Sequence, residues 1–162
     1  MRTSLLPPSE RKLQLLFSSS WQLGDLLEEL LAYTGPAFLV VATFSTGEEF
    51  LRRLYRLRKA GQIRQAVLYA DVKAAEKTSR LLPMMQSCFE EVCLCRNHCK
   101  AMLIEGADAK LCVLTSQNQT RGNRLESYVV LNDSVAYGTA YNALLQTEVF
   151  KQWKSTSKNS TT

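Results

Sequence analysis

His98 is the only histidine in this chain of 162 residues, and it stands two residues before Lys100. Side chains two apart on an extended strand project from the same face, so this spacing predicts that imidazole and ammonium point to one place. Ser116 and Asn118 have the same spacing at the end of another predicted strand. If the two strands are neighbours, an imidazole, an ammonium, a hydroxyl and an amide converge on one spot.

These four groups suit the chemistry of a phosphodiester. An imidazole titrates near neutral pH, so it can attack phosphorus or protonate a leaving oxygen. A lysine supplies fixed positive charge, and an asparagine amide donates hydrogen bonds where negative charge gathers on the non-bridging oxygens. Nothing in this set requires a metal ion or an organic cofactor, and we predict neither.

The order of these residues resembles the signature of the phospholipase D superfamily. The matching positions are His98-x-Lys100, an acid at Glu105, and Ser116-x-Asn118. The resemblance runs from about residue 37 to residue 153. It includes the 124–130 segment, which is similar to the acidic residue and apolar strand that follow the motif in the family. The family fold is an α/β sandwich, so we expect a mixed sheet flanked by helices.

The chain departs from the family pattern at two places. Glu105 stands where the family usually has aspartate, and Thr115 stands where it usually has glycine before the serine. The resemblance implies that the first acid is a structural ion-pair partner away from the phosphate, a role that glutamate can also fill. Threonine in place of glycine is expected to narrow the approach of the phosphate.

The resemblance also implies a role for each matched residue. His98 is expected to be the nucleophile that forms a phosphohistidine, while Lys100 and Asn118 hold the phosphate oxygens and Ser116 helps to orient them. Glu126 is expected to hydrogen-bond the histidine and set its tautomer. A second histidine must protonate the leaving group. Family members with a single motif obtain it by dimerising, so we predict a homodimer.

The charge balance favours an anionic substrate. Lysine and arginine number 20 against 15 acidic residues, which gives a formal charge of +5. Such a balance favours nucleic acid, DNA before RNA, and Arg121 and Arg124 just past the motif are predicted to contact the substrate backbone. The sequence shows no membrane span or signal segment, so we predict a cytoplasmic protein without stable membrane association. The odd count of five cysteines also favours a reducing compartment.

The elements that must position these residues predict one α/β domain, with a βαβαβ first half and a meandering second half. We expect an N-terminal arm over residues 1–20, the phospholipase-D-like domain over 21–154 and a flexible tail over 155–162. Apolar spacing predicts a helix from residue 21 to 34, and a second helix follows the capping segment at 45–49. Further helices are predicted over 72–86 and 134–153. Strands are predicted at 37–44, 66–70, 92–95, 101–105, 111–115 and 128–131.

Two alternative functions stay open at this point. The chain could be a weak or inactive member that binds nucleic acid within a larger assembly. It could also be a zinc-binding interaction module, because Cys93, Cys95, His98 and Cys99 have the right ligand types, although not a usual spacing. The basic residues from Arg52 to Lys59, with Tyr55, could form a nucleic-acid patch, but a solvated basic helix face is the commoner explanation.

Overall fold

The computed structural model, which describes residues 5–77 and 79–154, contains one eight-stranded mixed sheet with helices on both sides. The strand order is β1-β7-β6-β5-β2-β3-β4-β8. Strands β2, β3 and β4 are parallel, and every other neighbouring pair is antiparallel. The strands are Leu13–Ser18, Ala37–Thr43, Ile63–Asp71, Glu91–Cys95, Ala101–Glu105, Lys110–Thr115, Glu126–Asn132 and Val149–Lys154 for β1 to β8. The helices are Leu23–Thr34, Glu48–Lys59, Val72–Lys77, Leu82–Cys88 and Ser134–Leu145 for α1 to α5.

Helices cover the two faces of the sheet unequally. On one face, α1, α2 and α4 pack against strands that are almost wholly apolar, and this layer holds the larger core cluster. On the other face, α5 covers a smaller cluster that includes Val40, Leu103 and Tyr137. Successive side chains of a strand point to opposite faces of the sheet and so pack into both layers. The central strands are therefore apolar at nearly every position. The predicted α/β fold and its βαβαβ first half are confirmed.

The prediction of an N-terminal arm is wrong for most of residues 1–20. Leu13–Ser18 forms the edge strand β1, which pairs with β7 over six residues. Leu5 is buried, and the Gln14 side chain exchanges two hydrogen bonds of 2.9 Å with the backbone of Leu6. Residues 1–4 lie outside the described part of the chain, as does the predicted tail over 155–162.

Two of the predicted helices are also shorter than expected. The helix expected over 72–86 is divided into α3, a 3₁₀ turn at Ser79–Leu81 and α4, and Pro83 lies in the first turn of α4, where proline is tolerated. The helix expected over 134–153 ends at Leu145, and Val149–Lys154 pairs instead with β4 as the edge strand β8. Within the described residues, no helix is long and apolar enough to cross a membrane.

Candidate phosphodiester site

One edge of the sheet gathers all the loops that carry the predicted site. The carboxyl ends of β2, β3, β4 and β6 lie there, and so do the first residues of β5 and β7, because these two strands run in the opposite direction. Thr115 N donates to Lys100 O over 3.0 Å, and Ser116 N donates to Ser127 O over 3.1 Å. These bonds extend the ladders just past the strands. The Lys100 backbone and the Thr115–Ser116 backbone therefore lie side by side at this edge, while the convergence of the four side chains on one spot stays a prediction.

The prediction from spacing assumed that His98 and Lys100 lie on an extended strand, but in the structure they do not. They belong to the connection that precedes β5, which begins at Ala101. The two side chains nevertheless meet. Lys100 Nζ donates to His98 O over 2.9 Å and lies 3.4 Å from His98 Nδ1. The imidazole is exposed and packs against the Phe44 ring at a centroid distance of 5.3 Å. The imidazole is thus open to a ligand.

The loop that carries His98 is fixed by Asn97, a residue that the sequence analysis missed. The buried Asn97 amide donates to Tyr69 O over 3.0 Å and to Thr43 O over 3.3 Å, and its Oδ1 accepts from Cys99 N over 2.8 Å. Its own backbone N–H donates to the Asp71 carboxylate over 3.0 Å. The ends of β2 and β3 are therefore tied to the loop by buried hydrogen bonds, whose loss is costly.

Ser116 and Glu126 form a pair beside this loop. Ser116 Oγ donates to the Glu126 carboxylate and accepts from Ser127 N over 3.0 Å. The sequence had predicted Glu126 as the hydrogen-bond partner of His98. In this structure its carboxylate holds the Ser116 hydroxyl instead, while His98 Nδ1 faces Lys100.

Asn118 lies on the segment that leads away from β6. Its side chain is half-buried, and its Oδ1 atom is buried. Gln119 N donates to Ser45 O over 3.2 Å, and Thr46 bridges to Gln119, so the segment is bound to the start of α2. A Cβ atom at Gly47 would lie 3.1 Å from Gln119 O, which explains why the smallest residue stands at this close approach. On the other side, the buried Gln117 amide meets the Tyr128 hydroxyl at 3.1 Å.

Glu105 lies at the opposite end of β5 from the site. It is four residue steps from Ala101, roughly 13 Å along a strand. Lys110 Nζ lies 2.7 Å from its carboxylate, and the hydrogen bond from Lys110 holds the pKa of Glu105 below its usual range. The family resemblance implied a structural ion pair away from the phosphate, and the observed geometry has that form.

Glu105→Gln is therefore expected to change stability slightly and activity hardly at all. A carboxylate whose pKa is lowered by folding stabilises the native state above its unfolded pKa, and that contribution is lost as the pH falls through the lowered value. Because the pair is partly exposed, the loss at neutral pH should stay below about 1 kcal/mol. Thermal melts of both proteins at pH 7 and pH 3 measure it, and the difference should shrink at the lower pH. A large loss of turnover at pH 7 would contradict this placement.

The basic residues near the site differ in how much of their charge is available. Arg121 and Arg124 are exposed on the segment between β6 and β7, although Arg121 Nη1 lies 3.7 Å from Glu49. On α2, three of the arginines have acidic partners: Arg52 binds Glu48, Arg53 binds Asp25 and Glu28, and Arg58 binds Glu90. Most of the α2 arginines thus form ion pairs within the protein. This agrees with the interpretation of α2 as an ordinary basic helix face rather than a nucleic-acid patch.

The cysteines do not assemble a metal site with His98. Cys93 and Cys95 are buried in the core cluster beneath α5, whereas Cys99 and His98 are exposed. Burial raises the pKa of the Cys95 thiol to about 11, so this thiol stays protonated at neutral pH. No group of three or more histidine, cysteine or acidic side chains in the described residues is arranged to hold a metal ion. The zinc hypothesis gains no support from this arrangement.

Comparison with solved structures identifies similar folds, among them the following three. Nuc from Salmonella typhimurium, a phospholipase D family member, has a TM-score of 0.62 at 14% identity, over 86% of this chain and 97% of its own. Polyphosphate kinase from Porphyromonas gingivalis has a TM-score of 0.61 at 11% identity, over 88% of this chain and 29% of its own. Phosphatidylserine synthase from Haemophilus influenzae Rd KW20 has a TM-score of 0.60 at 16% identity, over 86% of this chain and 40% of its own. No protein-family model and no curated sequence matches.

Proposed function

We propose that this chain, which has the fold of the phospholipase D superfamily, is a metal-independent phosphodiesterase that acts on nucleic acid as a homodimer. The observation that carries the proposal is the pairing of His98 with Lys100 on a loop that lies beside the end of β6, where Thr115 N donates to Lys100 O. A nucleophile, a fixed cation and amide and hydroxyl donors are the groups that displacement at phosphorus needs.

In the proposed reaction His98 Nε2 attacks phosphorus, and a P–N bond forms as the bond to the leaving oxygen breaks. The leaving oxygen takes a proton from the partner's His98. A water molecule then attacks the phosphohistidine, giving its proton to that second imidazole, and the P–N bond breaks to restore His98. Each half of the reaction transfers one proton, so the pair of histidines returns to its starting state.

The observed position of Lys100 implies that substrate binding also changes which tautomer His98 can adopt. For Nε2 to carry a lone pair in the neutral imidazole, Nδ1 must hold the proton, and it then needs an acceptor as neighbour. An ammonium only donates, and in this structure it lies beside Nδ1. Binding of an anionic phosphate draws Lys100 away from His98 O and Nδ1 toward a non-bridging oxygen. The imidazole is then free to take the nucleophilic tautomer.

The substrate is proposed to be DNA in preference to RNA or lipid. The formal charge of +5 and the exposed Arg121 and Arg124 on the loop next to Asn118 support a polyanionic backbone. Arg124 projects from the same segment that carries Ser116 and Glu126. A phosphate chain bound at the site would therefore have cations along its continuation.

The central test is cleavage in the presence of a chelator. Purified protein is incubated with end-labelled single- and double-stranded DNA, and with RNA of the same sequence, in excess EDTA. We expect cleavage of DNA at an undiminished rate, because no step uses a metal ion. Loss of cleavage on chelation, with recovery on adding a divalent ion, would contradict the proposal.

A binding module without turnover is the second candidate, and one observation favours it. Glu126 holds Ser116 rather than His98, and Lys100 occupies the side of the imidazole where an acceptor would set its tautomer. If this arrangement persists with ligand, the site holds phosphate without attacking it. Retention of labelled DNA on a filter with no product in the same reaction would identify this behaviour.

A further inference from the structure

An exposed aromatic ring lies on the last strand, at the end of the sheet that carries the candidate site. Phe150 is the second residue of β8 and is 47% exposed. The Arg96 guanidinium lies over this ring, with 5.4 Å between Cζ and the ring centroid. We call Phe150 and Arg96 the β8 platform. Neither residue belongs to a core cluster or has a part in the proposed reaction, so their pairing is so far unexplained.

The pairing of β8 with β4 sets Phe150 apart from its neighbours on the strand. Lys151 pairs with Leu94 and Val149 pairs with Cys95, so Phe150 between them has no partner on β4. An extra residue of this kind forms a β-bulge, which redirects a side chain and is frequent at sheet edges and beside active sites. The bulge therefore gives Phe150 an orientation that the regular alternation of β8 would not give it.

The β8 platform lies at the same end of the sheet as His98. Arg96 precedes His98 by two residues, and β8 begins opposite the last residue of β4. The His98 ring packs beside Phe44 at the end of β2, and β8 is three strands away from β2 in the sheet. Three strand spacings amount to roughly 14 Å. A strand of DNA with about 3.4 Å per nucleotide covers this distance in about four nucleotides.

Exposed cations lie on both sides of His98 along this end of the sheet. Arg121 and Arg124 are on the connection from β6 to β7, and Arg96 is on the opposite side, after β4. Arg96 forms no ion pair with any described residue, and Glu148, two residues before Phe150, is not bound to it. The charge of Arg96 is therefore available to a phosphate on a strand that passes the site.

The surroundings of the ring favour a base over a lipid surface or an apolar protein. Apart from Val149, the neighbours of Phe150 are polar, because Lys151 and Gln152 follow it on β8 and Arg96 lies over it. Membrane and protein contacts use extended apolar patches. A single flat ring among polar groups instead matches the face of one base.

We propose that the β8 platform stacks an unpaired base of single-stranded DNA whose phosphate is held at His98. An aromatic ring beside an arginine offers a stacking surface and a cation–π contribution. The bases of a duplex are already stacked on each other, so their faces are closed to Phe150, whereas a single strand can turn a base outward. The inference rests on the proposed function for the class of ligand and on the platform for the preference for single strands.

The test measures binding of single- and double-stranded DNA of one sequence by fluorescence anisotropy in EDTA. Every protein carries His98→Ala, so that the DNA stays whole. Phe150→Ala removes the ring, Phe150→Leu keeps apolar bulk without an aromatic face, and Phe150→Trp keeps such a face. The control is Tyr55→Ala, because Tyr55 on α2 is 42% exposed and also has a cation, Lys59, 5.4 Å from its ring centroid. Circular dichroism checks folding, and cleavage is assayed with the same substitutions in the chain that retains His98.

We expect Phe150→Ala to weaken binding of the single strand at least about 5-fold, the lower end for stacking one base on an aromatic ring, and to leave duplex binding unchanged. Phe150→Leu should lose most of the same affinity, while Phe150→Trp should bind the single strand at least as tightly as its parent. Tyr55→Ala should bind both forms like the parent. Folded Phe150→Ala or Phe150→Leu that retains full single-strand affinity, or loses affinity for both forms equally, would overturn the inference. Equal losses in Tyr55→Ala would overturn it as well.

The outcomes also separate this inference from the proposed reaction. If single-strand binding depends on Phe150 but the wild type never cleaves, the β8 platform stands and the phosphodiesterase is refuted. If the wild type cleaves and Phe150→Ala leaves the binding of both forms of DNA unchanged, the reaction stands and the platform is refuted. A chain that binds neither form of DNA refutes the platform whatever its activity.

Discussion

His98→Ala is expected to reduce the rate of DNA cleavage by at least about 10³-fold, because the nucleophile and the proton donor are lost together. The fold should survive. His98 is exposed, and Lys100 Nζ donates to its backbone carbonyl, which alanine also provides. DNA binding should change little, since Lys100 and Asn118 are still present. Turnover is measured with labelled DNA in EDTA, and binding by fluorescence anisotropy of the same oligonucleotide.

The matched control for His98→Ala is Cys99→Ala in the same loop. Cys99 is exposed, and its backbone N–H, which donates to Asn97 Oδ1, is retained in alanine. This variant should cleave DNA like the wild type, which separates loss of the imidazole from disturbance of the loop. Denaturing the wild type during turnover should trap label on the protein in an acid-labile, base-stable bond, as a phosphohistidine requires. Cleavage by His98→Ala near the wild-type rate would make the histidine structural.

Mixing wild type with His98→Ala measures whether both histidines serve one phosphate. If subunits exchange freely and the active dimer needs both imidazoles, activity follows the square of the wild-type fraction. An equimolar mixture then retains about a quarter of the activity of wild type at the same total concentration. A linear dependence, with half the activity, would show that each copy acts alone.

The central strands could be predicted from the sequence because each is a short apolar run that ends at a turn. The two edge strands could not. The β1 strand pairs with β7 across more than a hundred residues, and its apolar Leu13, Leu15 and Phe17 lie on its exposed side rather than in the core. The β8 strand follows α5 after three residues, and helical propensity alone did not reveal that β4 needs an antiparallel neighbour there. Both errors concern pairing between distant segments, which local patterns do not encode.

The site was predictable where it depends on strand neighbours and not where it depends on loops. The meeting of the His98 and Ser116 segments follows from β5 and β6 forming a hairpin. The role of Asn97 in fixing the loop could not be predicted from the sequence, because the carbonyls to which it donates belong to Thr43 and Tyr69 on two other strands. The partner of Glu126 also depends on loop geometry. A small shift of the loop backbone decides whether the Glu126 carboxylate contacts Ser116 or His98.

After His98, the proposed reaction depends most on Lys100, because this residue supplies positive charge next to the phosphate. Its ammonium is already beside the imidazole, bound to His98 O over 2.9 Å, so a phosphate that reaches His98 comes within reach of it. Once the bound phosphate has drawn the ammonium to a non-bridging oxygen, its charge is in place before the displacement and stabilises the developing negative charge. The same ammonium also keeps Nδ1 beside a donor until an anion binds. The lysine thereby links substrate binding to the tautomer of the nucleophile.

Lys100→Met, which keeps the length of the side chain and removes its charge, should therefore lower turnover by about 10²- to 10³-fold. It should also weaken DNA binding and reduce the slope of binding affinity against salt by about 0.7 for a single strand, as the loss of one phosphate contact requires. Lys110→Met is the matched control, because Lys110 pairs with Glu105 at the far end of the β5–β6 hairpin. It changes net charge equally and should leave turnover intact. Equal losses in the two variants would mean that overall charge, rather than a phosphate held at His98, governs the activity.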